Sequence, residues 1–154
     1  MQPFAILWPT FALVALIVAM WFVLFAQRMR HIRTKPPTTA DFATGEAATR
    51  YFLPVEMPAN NLRNLFEMPV LSFALVPLLM ITHQAHPVQI ALAWLFVAAR
   101  VAHSVVHVFV KRVPLRATIY WLSCGLLFAM WIGFFIDMVN AASRYDAAMA
   151  NLTI

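Results

Sequence analysis

Arg100, His103, Ser104 and His107 stand at i, i+3, i+4 and i+7 inside an otherwise apolar run. At 3.6 residues per turn these four side chains share one face of a helix. A second polar row, Asn60, Arg63, Asn64 and Glu67, opens the preceding apolar run at the same spacing. Beyond the first row, Lys111, Arg112 and Arg116 carry the positive charge onward. Two polar rows at the same depth on consecutive helices describe one hydrophilic site between them. Its net positive charge suits an anionic ligand, and the apolar sequence around it suits a lipophilic one.

His103 and His107 also have the i, i+4 spacing by which two ligands on a helix meet one metal ion, and Glu67 could add a third ligand. Arg100, one turn away, would repel a divalent cation, and the sequence has neither an HExxH pattern nor a cysteine pair. No metal is expected. Cys124 is the only cysteine, so no intrachain disulfide can form. It lies in an apolar run and reads as a small packing thiol.

The elements that position these residues are set by composition. Of 154 residues, 63% are hydrophobic and 11% charged, where a soluble domain carries roughly a quarter charged residues. That excess of apolar surface requires lipid around it. Four runs are long enough to cross the hydrocarbon as helices: Phe4–Ala26, Phe66–Thr82 with its start extended to about Asn61, Val88–Val110, and Ala117–Met138. The expected fold is an all-α, up-down-up-down four-helix membrane bundle forming one domain over residues 1–154. Its helices run at about 4–28, 61–82, 88–111 and 115–139, and a loop spans 29–60. Pro36-Pro37 stops the first helix. The first run lacks a basic leader and a small-residue cleavage site, so it is expected to be retained rather than cleaved as a signal peptide. Three glycines in the whole chain exclude a Gly-rich phosphate-binding loop.

Arg100 sits near the middle of the third run, where a charge costs about 2.5–3.5 kcal/mol on insertion scales. It is half a helix from either end, so a partner inside the bundle must offset that cost. Glu67 is the acid at a matching depth, since Asp137 lies at the far end of the last run. An Arg100–Glu67 ion pair is the expectation.

Nine of the eleven lysines and arginines fall between Arg28 and Arg63 or between Lys111 and Arg116. The pI near 10.2 therefore reports orientation in the membrane rather than nucleic-acid binding. The positive-inside rule puts both basic loops in the cytoplasm and both termini outside.

Taken together, NNLRNLFEMP and RVAHSVVHVFVKRVPLRATIY resemble the MAPEG family, the membrane-associated proteins of eicosanoid and glutathione metabolism, and in particular its prostaglandin E synthase and glutathione transferase branch. The resemblance covers residues 50 to 125 well and the first helix by architecture alone. It implies a bacterial-type inner-membrane homotrimer that holds glutathione between subunits toward the cytoplasmic face. It further implies that Asn64 and Glu67 hold the glutathione backbone, that Arg63 meets its carboxylates, and that Arg100 pairs with Glu67. His103 would contact glutathione, Arg116 would stabilise its thiolate, and Tyr120 would contact ligand one turn later. Arg28, at the cytoplasmic end of the first helix, is a further contact without an aligned counterpart. His107 replaces a tyrosine that contacts glutathione in that branch, and Ala117 replaces a serine held to assist thiol activation.

The chemistry so implied needs no protein nucleophile. A thiol of pKa about 8.5 is mostly protonated at neutral pH, and a nearby guanidinium favours its thiolate. The thiolate would attack an electrophile or peroxide dissolved in the membrane. Two rival readings use the same residues: a non-catalytic lipid-binding scaffold of the same fold, which the loss of serine at 117 favours, and a small transporter, which the absence of an internal repeat or broken-helix pair disfavours.

Overall fold

The computed structural model describes residues 4–152. The described residues are helical, without strands, and four stretches are long and apolar enough to cross a bilayer: Leu7–Thr34, Met57–Ile81, Pro87–Val110 and Val113–Asn151. Residues 1–3 and 153–154, where the chain ends were expected outside the membrane, lie beyond the described residues.

Helix α1 (Leu7–Thr34) runs six residues past its expected end at 28, stopping immediately before Lys35 and the Pro36-Pro37 pair. A proline cannot supply the backbone N–H that the next turn needs. The following segment is not a plain loop. Thr38 and Asp41 cap a 3₁₀ turn, with Asp41 Oδ2 accepting from the Thr38 amide at 2.8 Å and its hydroxyl at 2.7 Å. Thr44 Oγ1 accepts from the Ala47 amide at 3.1 Å and starts a short helix, α2 (Gly45–Phe52). Tyr51 and His31 then tie this cap to the end of α1. The Tyr51 hydroxyl donates to the Lys35 carbonyl, and His31 Nε2 donates to the Tyr51 carbonyl at 3.0 Å, with the two rings edge to face.

The second span starts earlier than Asn61 and is broken in two. Helix α3 (Met57–Glu67) ends at Met68, and α4 (Pro69–Ile81) restarts with proline in its first turn. Pro69 fits the start of a helix because its missing N–H would be unsatisfied there anyway. Helix α5 (Pro87–Val105) passes into a π-helical turn, Val106–Val110, that ends where Lys111 turns left-handed at φ 59°. Helix α6 (Val113–Leu152) has 40 residues, so it is about 60 Å long, roughly twice the thickness of the hydrocarbon. It carries the C-terminal tail as a continuous helix beyond the expected end at 139.

Three small apolar clusters hold the bundle. Ile6, Leu75, Val76, Leu79, Ala93 and Met130 pack at one end. Leu13, Phe96, Val97 and Leu127 pack in the middle. Met20, Leu65 and Val108 close the end nearer the polar rows. Large apolar side chains such as Trp21, Phe22, Phe25, Phe128 and Phe135 point outward and are more than half exposed or close to it, as expected of helices whose solvent is lipid. Helix α5 is the most enclosed of the four spans, and it carries the Arg100 row.

Candidate functional site

Arg100 is fully buried, at 0% exposure. Its guanidinium does not meet Glu67. Nη2 donates to the backbone carbonyl of Asn64, and Nη1 lies 3.4 Å from Ser123 Oγ. Among the described residues, the ion pair within 4.0 Å is Arg50–Glu46 in the cap, and Glu67 is exposed. The expected Arg100–Glu67 pair is therefore corrected. The physical reason lies in the break at Pro69. Asn64 is among the last four residues of α3, whose carbonyls lack intrahelical partners. That helix end carries partial negative charge and accepts a cation. The Tyr120 ring, 5.5 Å from the Arg100 guanidinium carbon, adds a cation–π contact. Ser123, which the sequence did not single out, donates to the Tyr120 carbonyl at 2.7 Å and so links Arg100 to α6. One arginine thus joins α3, α5 and α6 at the depth of the site.

Arg116 lies in the first turn of α6, and two histidines of α5 and the π turn reach it. His103 Nδ1 lies 3.2 Å from the Arg116 carbonyl, and His107 Nε2 lies 3.2 Å from Arg116 Nη1. A carbonyl only accepts and a guanidinium only donates. His103 therefore carries its proton on Nδ1 and keeps a lone pair on Nε2, a buried atom without a hydrogen-bond partner. Its ring also contacts Tyr120, with centroids 5.6 Å apart.

Asn64, His103, Arg116, Ala117, Tyr120 and Trp121 surround a cavity of about 240 Å³. Trp121 is 70% exposed at its rim. Arg28 and Arg63 lie apart from it, in a second cavity of about 280 Å³ shared with Thr49, Phe52, Glu56 and Asn60. There the Arg28 guanidinium carbon sits 4.7 Å over the Phe52 ring while its Nε is buried without a partner. The predicted site residues thus fall into separate places within the chain. Asn64, His103, Arg116 and Tyr120 come together, Arg28 and Arg63 come together, and Glu67 lines neither cavity. Arg100 and His107 are buried behind the first cavity rather than on its wall.

The first cavity combines one cation with neutral polar groups. Arg116 offers a cation, Asn64 an amide, Tyr120 a phenol, and His103 Nε2 an unpartnered acceptor for an N–H or S–H donor. The second cavity offers two more guanidinium groups for carboxylates. No curated protein and no solved structure matches the chain. A family model, the MAPEG family, matches residues 6–136. With that match covering three of the four membrane-length helices and the fourth as far as residue 136, the chain belongs to the MAPEG family and is an integral, multi-pass membrane protein.

Proposed function

We propose that the protein binds glutathione within the membrane and uses it to conjugate lipophilic electrophiles or to reduce lipid peroxides. The observation that carries this reading is the cavity in which Arg116, His103, Asn64 and Tyr120 converge beneath a lipid-exposed indole, Trp121. The MAPEG family includes glutathione-dependent transferases and peroxidases as well as non-catalytic members.

Glutathione would supply the nucleophilic sulfur. The residues do the rest by binding and charge. Arg116 favours the anionic form of a thiol beside it. His103 Nε2 accepts a hydrogen bond from the ligand, and Asn64 and Tyr120 orient it. Arg63 and Arg28 meet carboxylates, and Arg100 fixes the distance between the walls. A homotrimer completes the arrangement by bringing Glu67 and the Arg28–Arg63 cavity of one copy to a neighbouring copy. The basic loops face the cytoplasm, in the orientation of a bacterial inner-membrane protein, and lipid supplies the lipophilic substrate through the side of the bundle.

A second reading has a specific observation behind it. Ala117 stands on the cavity wall and offers no hydroxyl, which favours a lipid-binding member without catalysis. Calorimetry of the detergent-solubilised protein with glutathione, followed by an ultraviolet difference spectrum for the thiolate, separates the two. Binding with a thiolate band supports the enzyme. Binding without the band and without turnover leaves the scaffold, and no binding overturns the glutathione reading altogether.

A further inference from the structure

His107 belongs by spacing to the polar row that faces the ligand, yet it is 3% exposed and lines neither cavity. Its partner is Arg116. Because a guanidinium N–H can only donate, the 3.2 Å contact requires His107 Nε2 to accept, and places the ring proton on Nδ1. The backbone is built to bring this contact about. The π turn bonds the Lys111 amide to the Val106 carbonyl at 2.7 Å, across five residues instead of four. The left-handed Lys111 then reverses the chain into α6, returning Arg116 to His107 nine residues later. Single π turns associated with helices recur at functional sites.

Arg116 is consequently held at both ends: His103 fixes its backbone carbonyl, and His107 fixes its head. No carboxylate lies within ion-pair distance of Arg116 among the described residues. That choice of partner has an electrostatic meaning. A carboxylate would orient the guanidinium but cancel its charge, whereas a neutral imidazole orients it and leaves the charge to act on whatever occupies the cavity. A free arginine side chain would spread over many rotamers.

We propose that His107 is a positioning residue for Arg116: as a neutral acceptor it aims the guanidinium into the cavity without neutralising it. The kinetic part of this inference rests on the glutathione reading above; the structural part does not.

The test starts with nitrogen NMR of the histidines in the glutathione-free protein. His107 is expected in the Nδ1–H form, with its Nε2 signal shifting when Arg116 is changed to Met. In the same ligand-free protein, His107→Leu is expected to raise the rate at which phenylglyoxal modifies Arg116, read by mass spectrometry. His107→Gln, whose amide oxygen can take the place of Nε2, is expected to restore the slow rate. With glutathione, His107→Leu should lower the thiolate band and kcat by about 10-fold or more while KM changes little, the size of effect typical of removing a group that orients a functional one. The Gln variant should recover most of that loss. A proton on Nε2, or Leu and Gln variants that behave alike toward phenylglyoxal, overturns the inference. If glutathione fails to bind the wild type, the function proposed above falls, and the tautomer and modification rates alone decide the role of His107.

Discussion

The Arg100 guanidinium closes on the backbone carbonyl of Asn64 and leaves the carboxylate of Glu67 outside the core. A buried cation has here been matched to the C-terminal end of a helix that Pro69 interrupts, and the carbonyl it caps would otherwise face a dry interior. Arg100→Met should therefore cost about 1–3 kcal/mol, the penalty of an unsatisfied buried acceptor. Glu67→Gln, at an exposed position with no ion pair among the described residues, should stay within about 0.5 kcal/mol. Thermal unfolding in detergent measures both. Equal losses for the two single variants, with no further loss in the double, would instead show that the two side chains act as a pair in the assembled protein.

Much of the fold was legible because lipid enforces a simple rule: apolar runs of about 20 residues become helices. The Arg100 row was legible for the same reason, since polar side chains in such a run must face inward. What escaped were features set by local backbone chemistry and by return of the chain. The cap between Thr38 and Phe52 carries its own signals, Thr38 three residues before Asp41 and Thr44 before Ala47, but Pro36-Pro37 makes the stretch read as open loop. The tail past Met138 has no apolar run to announce it. Its alanines favour helix, and α6 continues through it. The Glu67 partnership failed because charge matching between side chains ignores the carbonyls that a broken helix exposes. His107 and Arg116 meet only through a π turn and a left-handed residue, which no spacing rule anticipates.

Orientation gives a second prediction. Reporters fused near residues 40 and 113 should be cytoplasmic, and one in the turn near residue 85 should not. Nine of eleven lysines and arginines fall in two segments, between Arg28 and Arg63 and between Lys111 and Arg116, and translocating such segments is disfavoured. An external reporter at residue 40 would reverse the assignment.

The cap supplies a pH dependence. Hydrogen bonds from the Thr38 amide and hydroxyl hold the Asp41 carboxyl below its ordinary value of 3.8. A carboxyl depressed in the folded protein contributes stability fully above its unfolded pKa, and loses it as pH falls through the lower folded value. Hydrogen exchange over residues 36–44, read by mass spectrometry, should be faster in Asp41→Asn than in the wild type at pH 7. That difference should close as the pH is taken well below 3.8. A difference that persists in strong acid would mean the carboxylate's charge is not what holds the turn.

Arg116 and Arg63 make the sharpest contrast at the site. Arg116 stands on the wall of the cavity with His103 and Tyr120, while Arg63 lies in the neighbouring cavity with Arg28. If Arg116 faces the sulfur, Arg116→Ala should abolish the thiolate band of bound glutathione and lower kcat, while affinity falls only modestly. Arg28 and Arg63 remain to hold the carboxylates. Arg63→Ala should do the reverse, because a carboxylate contact is made equally in the ground and transition states and its loss raises KM with kcat little changed. Calorimetry and the ultraviolet difference spectrum, run on both variants, report binding and ionisation separately. Parallel losses of affinity and of thiolate in the two variants would mean that the guanidinium groups act as one diffuse positive field. The assignment of Arg116 to the sulfur would then be withdrawn, even with glutathione confirmed as the ligand.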